Sequence, residues 1–170
     1  MKYFPLFYRL HAEESYLVWI SNERDSVVVD TGGFVPSFRD LTVLRHYANL
    51  NHLNIENREP VLHDLEWITT WRVTLVESAD CVKAINAWNL FGEVAASIPK
   101  AGIAFRKLAD SQIVRPIYDK LFWGNNLPSM TPKGKRYIPE WSQEELQSLA
   151  HLMTAGLELF AYCVRSWPLE

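Results

Sequence analysis

The sequence predicts an α+β domain: a small N-terminal antiparallel sheet of three or four strands packed against five or six helices, with a helix-rich C-terminal half. Three observations predict it. Residues 2–30 form short β-branched and aromatic stretches separated by turn residues. From residue 37 onward, apolar residues recur at helical spacing. No repeat or low-complexity linker interrupts the 170 residues, so one domain spanning 1–170 is expected.

The strands come first. Residues 2–10 are aromatic and extended, and Pro5 marks a sheet edge or a bulge because it has no N–H to donate. Residues 15–20 and 26–30 follow as a second and third strand across the polar turn 21–25, most simply as an antiparallel meander. Gly32 and Gly33 end this region. Ser37, with Asp40 three residues on, resembles a capping arrangement for a helix carrying Leu41, Leu44, Tyr47 and Ala48. Residues 49–60 are polar and read as a loop. A second helix is expected over 61–72, with Leu62, Leu65 and Ile68 on one face and Trp67 four residues before Trp71. A third spans 78–97, with Val82, Ile85, Trp88 and Ala95 as its core stripe. Shorter helices are expected at 102–109 and 112–123. Residues 124–141 are irregular and hold three prolines and the basic trio Lys133, Lys135 and Arg136. The last helix starts at Ser142, which forms a capping box with Glu145, and Leu146, Leu149, Leu152, Met153, Phe160 and Val164 line its buried side.

The apolar fraction is 48% and the charged fraction 22%, ordinary for a globular chain, whereas seven Trp, seven Tyr and eight Phe are many. Aromatic residues serve both cores and interfaces. Two widely spaced cysteines, Cys81 and Cys163, exclude a disulfide framework and a thiolate metal site, and with no secretory leader pattern they point to a reducing cytoplasm. No apolar run approaches the roughly 18 residues of a membrane helix. Residues 1–80 hold seven Lys/Arg against twelve Asp/Glu, while residues 81–170 hold ten against eight. The acidic first half argues against a nucleic-acid surface and suits a basic protein partner.

Candidate chemistry is incomplete wherever it starts. An apolar strand leading into Asp30-Thr31-Gly32 looks like the active-site turn of aspartic proteases, which needs a second carboxylate to share a proton. A small hydrolase using Asp30 is therefore one alternative, and a plain turn closed by Asp30 is another. His63-Asp64 resembles the paired residues of metal-dependent phosphohydrolases, but the other histidines lack ligand spacing; Asp64 at a helix start is the simpler reading. Phosphate-cradling glycine motifs and the serine-hydrolase elbow are absent. Lys133, Lys135 and Arg136 beside Tyr137 could contact phosphate, or form a solvated turn. An enzyme is not expected, nor is a cofactor or a metal. Glu56, Glu59, Asp64, Glu66, Glu77 and Asp80, interleaved with Trp67 and Trp71, form an acidic and aromatic segment suited to a basic partner.

Leu62-His63-Asp64-Leu65-Glu66-Trp67, Ile85-Asn86-Ala87-Trp88-Asn89-Leu90-Phe91 and Pro139-Glu140-Trp141-Ser142-Gln143-Glu144-Glu145 together resemble small bacterial immunity proteins of contact-dependent growth inhibition systems. The resemblance implies a cytoplasmic protein that binds the C-terminal domain of one cognate toxin, often a nuclease, and occludes its active site without turnover. Charge arguments place the partner-binding residues at Glu56, Glu59, Asp64, Glu66 and Trp67, with no nucleic-acid or membrane partner. A non-catalytic adaptor is the remaining alternative.

Overall fold

The computed structural model describes residues 1–71 and 78–168. Its architecture grows from an N-terminal hairpin. Strands β1 (Lys2–Leu10) and β2 (Glu13–Ser21) pair antiparallel in unbroken register from Lys2↔Ser21 to Leu10↔Glu13. A two-residue loop joins them, and His11 and Ala12 sit at φ 55° and 60°. Positive φ at both central residues is what a tight hairpin with right-handed twist requires, and it is usually met by Asn-Gly. Here neither residue is glycine. Ala12→Gly is therefore expected to stabilise the fold by about 1 kcal/mol, read by urea denaturation. An unchanged midpoint would mean that the rest of the hairpin absorbs no strain at this turn.

The side-chain period of two then places two cores on the two sides of the sheet. Leu6, Tyr8, Leu10 and Leu17 are buried in the larger core with the helices of the C-terminal half. Val18, with Tyr3 and Tyr16 packed beside it, belongs to a second cluster with Phe38, Val43, Leu44 and Tyr47. Strand β3 (Ser26–Val27) adds antiparallel to β2 and is shorter than the 26–30 run suggested. Strand β4 (Val35–Ser37) leads into α1 (Leu41–Leu50). The α1 N-cap is Asp40, whose Oδ1 accepts from the Val43 N–H at 2.9 Å. Ser37 is not part of that cap: it lies in β4, buried, with its hydroxyl 2.8 Å from that of Tyr8.

The expected helix over 61–72 is corrected. Residues Leu62–Asp64 form strand β5, which pairs parallel with β1 over Phe7–Arg9, and among the described residues of this segment only Glu66–Thr70 are helical, as α2. The sheet order is β3-β2-β1-β5, so it is mixed rather than wholly antiparallel. The spacing of Leu62, Leu65 and Ile68 did not distinguish the two forms, and the open edge of β1 captures the first three residues. Arg72 and Glu77 lie outside the described residues, as does the Asp80 side chain.

Helix α3 (Ser78–Ser97) runs through the larger core, with α4 (Ile103–Ala109), α5 (Arg115–Gly124) and α6 (Gln143–Cys163) around it. Within the expected α3 stripe, Ile85, Trp88 and Ala95 are buried and Val82 is 41% exposed. The Ser142–Glu145 capping box is formed in both directions. Beyond α6 the chain turns extended: Val164–Ser166 form β6, parallel to β4, and Trp167 packs on Phe38 and Tyr47. Strands β4 and β6 thus form a second, two-stranded sheet beside the first. Among the described residues, no helix is long and apolar enough to cross a membrane.

Candidate functional site

Pro5 explains where the surface opens. The carbonyls of Tyr3 and Arg9 accept from the N–H groups of Glu56 and Leu65, so the odd residues of β1 turn their backbone groups toward the 55–65 segment. Pro5 is one of them and has no N–H. Ile55 bridges to Tyr3 and Leu62 pairs with Phe7, while residues 56–61 arch away between these points. The edge expected at Pro5 is therefore a notch in an otherwise covered edge.

Under this arch lies a recess of about 310 Å³. Phe4, Pro5, Leu6 and Trp19 form its apolar side, Arg58, Glu59, Pro60, Val61 and His63 its loop side, and Asn86, Asn89 and Glu93 of α3 the third wall, with Asp25 at the β2–β3 turn. The α3 residues recur at i, i+3 and i+7, one polar face of a helix otherwise mostly buried. The recess continues past Asn89, Glu93 and Asp25 toward Trp88 and Tyr118. The Tyr118 hydroxyl donates to Asn89 Oδ1 at 3.0 Å and stands edge-on to Trp88.

Glu93 is the unusual group. Burial pushes its carboxyl up to about 8; the Trp19 indole opposes that rise and the neighbouring Asp25 adds to it. Trp19 Nε1 is itself buried and, among the described residues, falls short of hydrogen-bond geometry with any partner. None of the ion pairs among the described residues involves Glu93 or Asp25. Burial lowers the His63 value from 6.5, against the opposing effect of hydrogen bonds that include Nδ1 to the Val61 carbonyl at 3.1 Å. Neither Glu93 nor Asn86 stands out in the sequence, because their helical spacing reads as an ordinary solvated stripe.

The five residues expected to bind a partner separate. Glu56 and Glu59 lie on the arch, and Glu59 is exposed at the rim of the recess. Asp64 and Glu66 lie near Arg9, six residues along β1 from Tyr3, or about 20 Å. Both have structural partners. Asp64 Oδ2 is 3.4 Å from Lys83 Nζ, and Asp64 Oδ1 accepts from the Glu66 N–H at 3.1 Å. Glu66 Oε2 accepts from the Ala12 N–H at 3.1 Å and so braces the β1–β2 turn. Trp67 packs against the larger core, edge-on to Trp71 at 5.3 Å. Glu56 and Glu59 thus sit on the arch, and Asp64, Glu66 and Trp67 at the other end of β5.

Asp30 closes a turn. Its Oδ1 accepts from the Phe34 N–H at 3.0 Å, its carbonyl accepts from the Gly33 N–H at 3.0 Å, and Gly33 takes φ 83°. Among the described residues, no second carboxyl hydrogen-bonds to Asp30, and no group of three or more His, Cys, Asp or Glu is placed to hold a metal ion. Cys81 and Cys163 are buried and form no disulfide. Of the basic loop, Lys133, Lys135 and Arg136 are exposed, as are Met130, Tyr137 and Ile138 beside them. Comparison with protein families, characterised proteins and solved structures finds no match to this chain.

Proposed function

We propose that the protein is a stoichiometric binding protein that neutralises a toxin domain, docking through the face on which the arch and its recess open. The supporting observation is the preformed recess. Its apolar side can take a protruding side chain, while Glu59 at its rim and Glu56 on the same arch attract a basic surface. An acidic face seated over a nuclease's phosphate-binding groove would occlude it without chemistry.

The structure narrows the test to the arch. Glu66 is left out because reversing its charge would disturb the hairpin turn it braces. The partner is first isolated by quantitative pull-down from the native host, as a near-stoichiometric C-terminal fragment of a large secreted protein. The double variant Glu56→Lys/Glu59→Lys is then expected to slow association with that fragment about tenfold at low salt, with dissociation and thermal stability little changed. Unaltered association kinetics would remove the arch from the interface, and failure to capture any stoichiometric partner would count against the neutralising role.

A further inference from the structure

We propose that the recess beneath the 56–61 arch is a binding site for a guanidinium group, seated between the aromatic side of Trp19 and Phe4 and the polar wall of Asn86, Asn89 and Glu93. The inference concerns the recess alone and does not depend on the toxin-neutralising reading.

The recess carries carboxyl groups on two elements, Glu93 on α3 and Asp25 at the β2–β3 turn, and no ion pair among the described residues involves either. A carboxylate taken out of water without a counter-charge is costly, so Glu93 keeps its proton, and a bound cation would make the ionised form affordable. A guanidinium fits the available groups better than an ammonium. It is planar, so it can lie against an aromatic face; it donates five hydrogen bonds, enough for Glu93 and the asparagine amide oxygens together. A volume of about 310 Å³ accommodates a side chain of arginine size. With a cation in place, the ionised form of Glu93 becomes the stable one and the adjacent Trp19 N–H reinforces it.

Proton release should accompany binding. Glu93 holds its proton up to about pH 8, so a cation that requires the carboxylate must displace it. The other charged or titratable groups facing Glu93 are Asp25, His63 from β5, Arg58 and Glu59 from the arch, and Tyr118 from α5. Burial shifts His63 downward, the opposite direction to Glu93.

The test titrates the full chain with N-acetyl-arginine amide, free arginine, and N-acetyl-citrulline amide as the neutral isostere, following Trp fluorescence and calorimetry in two buffers of different ionisation enthalpy. Saturable binding of at least one arginine compound, about tenfold or more tighter than the citrulline compound, is expected. Its affinity should rise between pH 6 and 8 by up to about tenfold per unit. Preference for the amide identifies a protein's arginine side chain as the natural source, and preference for free arginine identifies a small guanidino compound. Glu93→Gln, which keeps the shape and the neutral form, should weaken binding about tenfold or more. Equal response to citrulline, no saturable response at tens of millimolar, or unchanged affinity in Glu93→Gln would each overturn the proposal. The citrulline comparison uses the unmodified protein, so it decides even if the variant misfolds.

Discussion

Glu93→Gln is expected to stabilise the protein at pH 8 and above by about 2–4 kcal/mol, while changing it little near pH 5. In the folded protein, burial lifts the Glu93 carboxyl from 4.5 to about 8. The folded state therefore holds a proton that the unfolded chain has released throughout that window. Each unit of pH between these values removes stability from the wild type, and the loss levels off only once the folded carboxyl ionises too. The full shift would amount to somewhat more than 4 kcal/mol, and partial solvation through the open recess discounts it to about 2–4. Glutamine carries no such penalty. Urea midpoints measured from pH 5 to 9 should fall for the wild type relative to the variant, with the curves diverging as pH rises. Parallel curves would show that Glu93 is well solvated. His63 works in the opposite direction: burial keeps its folded value below 6.5, so its contribution is present above that pH and is lost as pH falls below it. Between pH 4.5 and 6.5 the two residues partly offset each other, and the variant isolates the Glu93 contribution.

The same residue shows why fold and site differ in how readable they are. Helices α3 and α6 can be read from the chain because twenty or so residues repeat one apolar spacing, and at Ser142 a hydroxyl and a carboxylate three residues apart specify the start of α6. The first two strands can be read because aromatic and β-branched residues fill them. Short elements escape this logic. Leu62–Asp64 is too brief to show a period, and its pairing depends on an unsatisfied edge of β1 more than fifty residues away. Val164 continues the α6 stripe in sequence yet turns extended, because β4 offers it backbone partners.

The recess escapes more completely. It brings together residues 4–6, 19, 25, 58–63 and 86–93, and the feature that sets Glu93 apart is a missing counter-charge, which no local pattern displays. Only Pro5 announced any of it, as the point where the edge could not be covered. The acidic segment shows what sequence spacing hides. Asp64 and Glu66 look available in sequence because their cationic and N–H partners, Lys83 and Ala12, lie 19 and 54 residues away. Trp67 reads in sequence as an aromatic beside acidic residues, and in the fold it is partly buried against the larger core.

The packing of α3 on α6 carries the other large expected effect. Gly156 is buried where α6 meets α3, and a Cβ built on it would collide with the ring of Phe91. That ring has nowhere to go: Phe91 is fully buried, with Phe105 and Phe160 each 6.1 Å away in edge-to-face contact. Phe160 in turn stands edge-on to Tyr8 of β1 at 5.0 Å, so a displacement at Gly156 is passed to the sheet. Gly156→Ala gains about 1 kcal/mol in helix propensity and loses more through overpacking. A net destabilisation of about 2–3 kcal/mol is expected, or about 5–10 °C in melting temperature. Phe91→Ala, which alone should cost about 3–5 kcal/mol, removes the ring atoms that the new methyl would strike. In the double variant the two losses should therefore fall short of their sum by at least about 1 kcal/mol, a coupling that independent sites would not show. Simple additivity would place the origin of any Gly156→Ala defect elsewhere than the Phe91 ring, and a neutral Gly156→Ala would mean that α3 and α6 can separate without cost to the sheet beneath them.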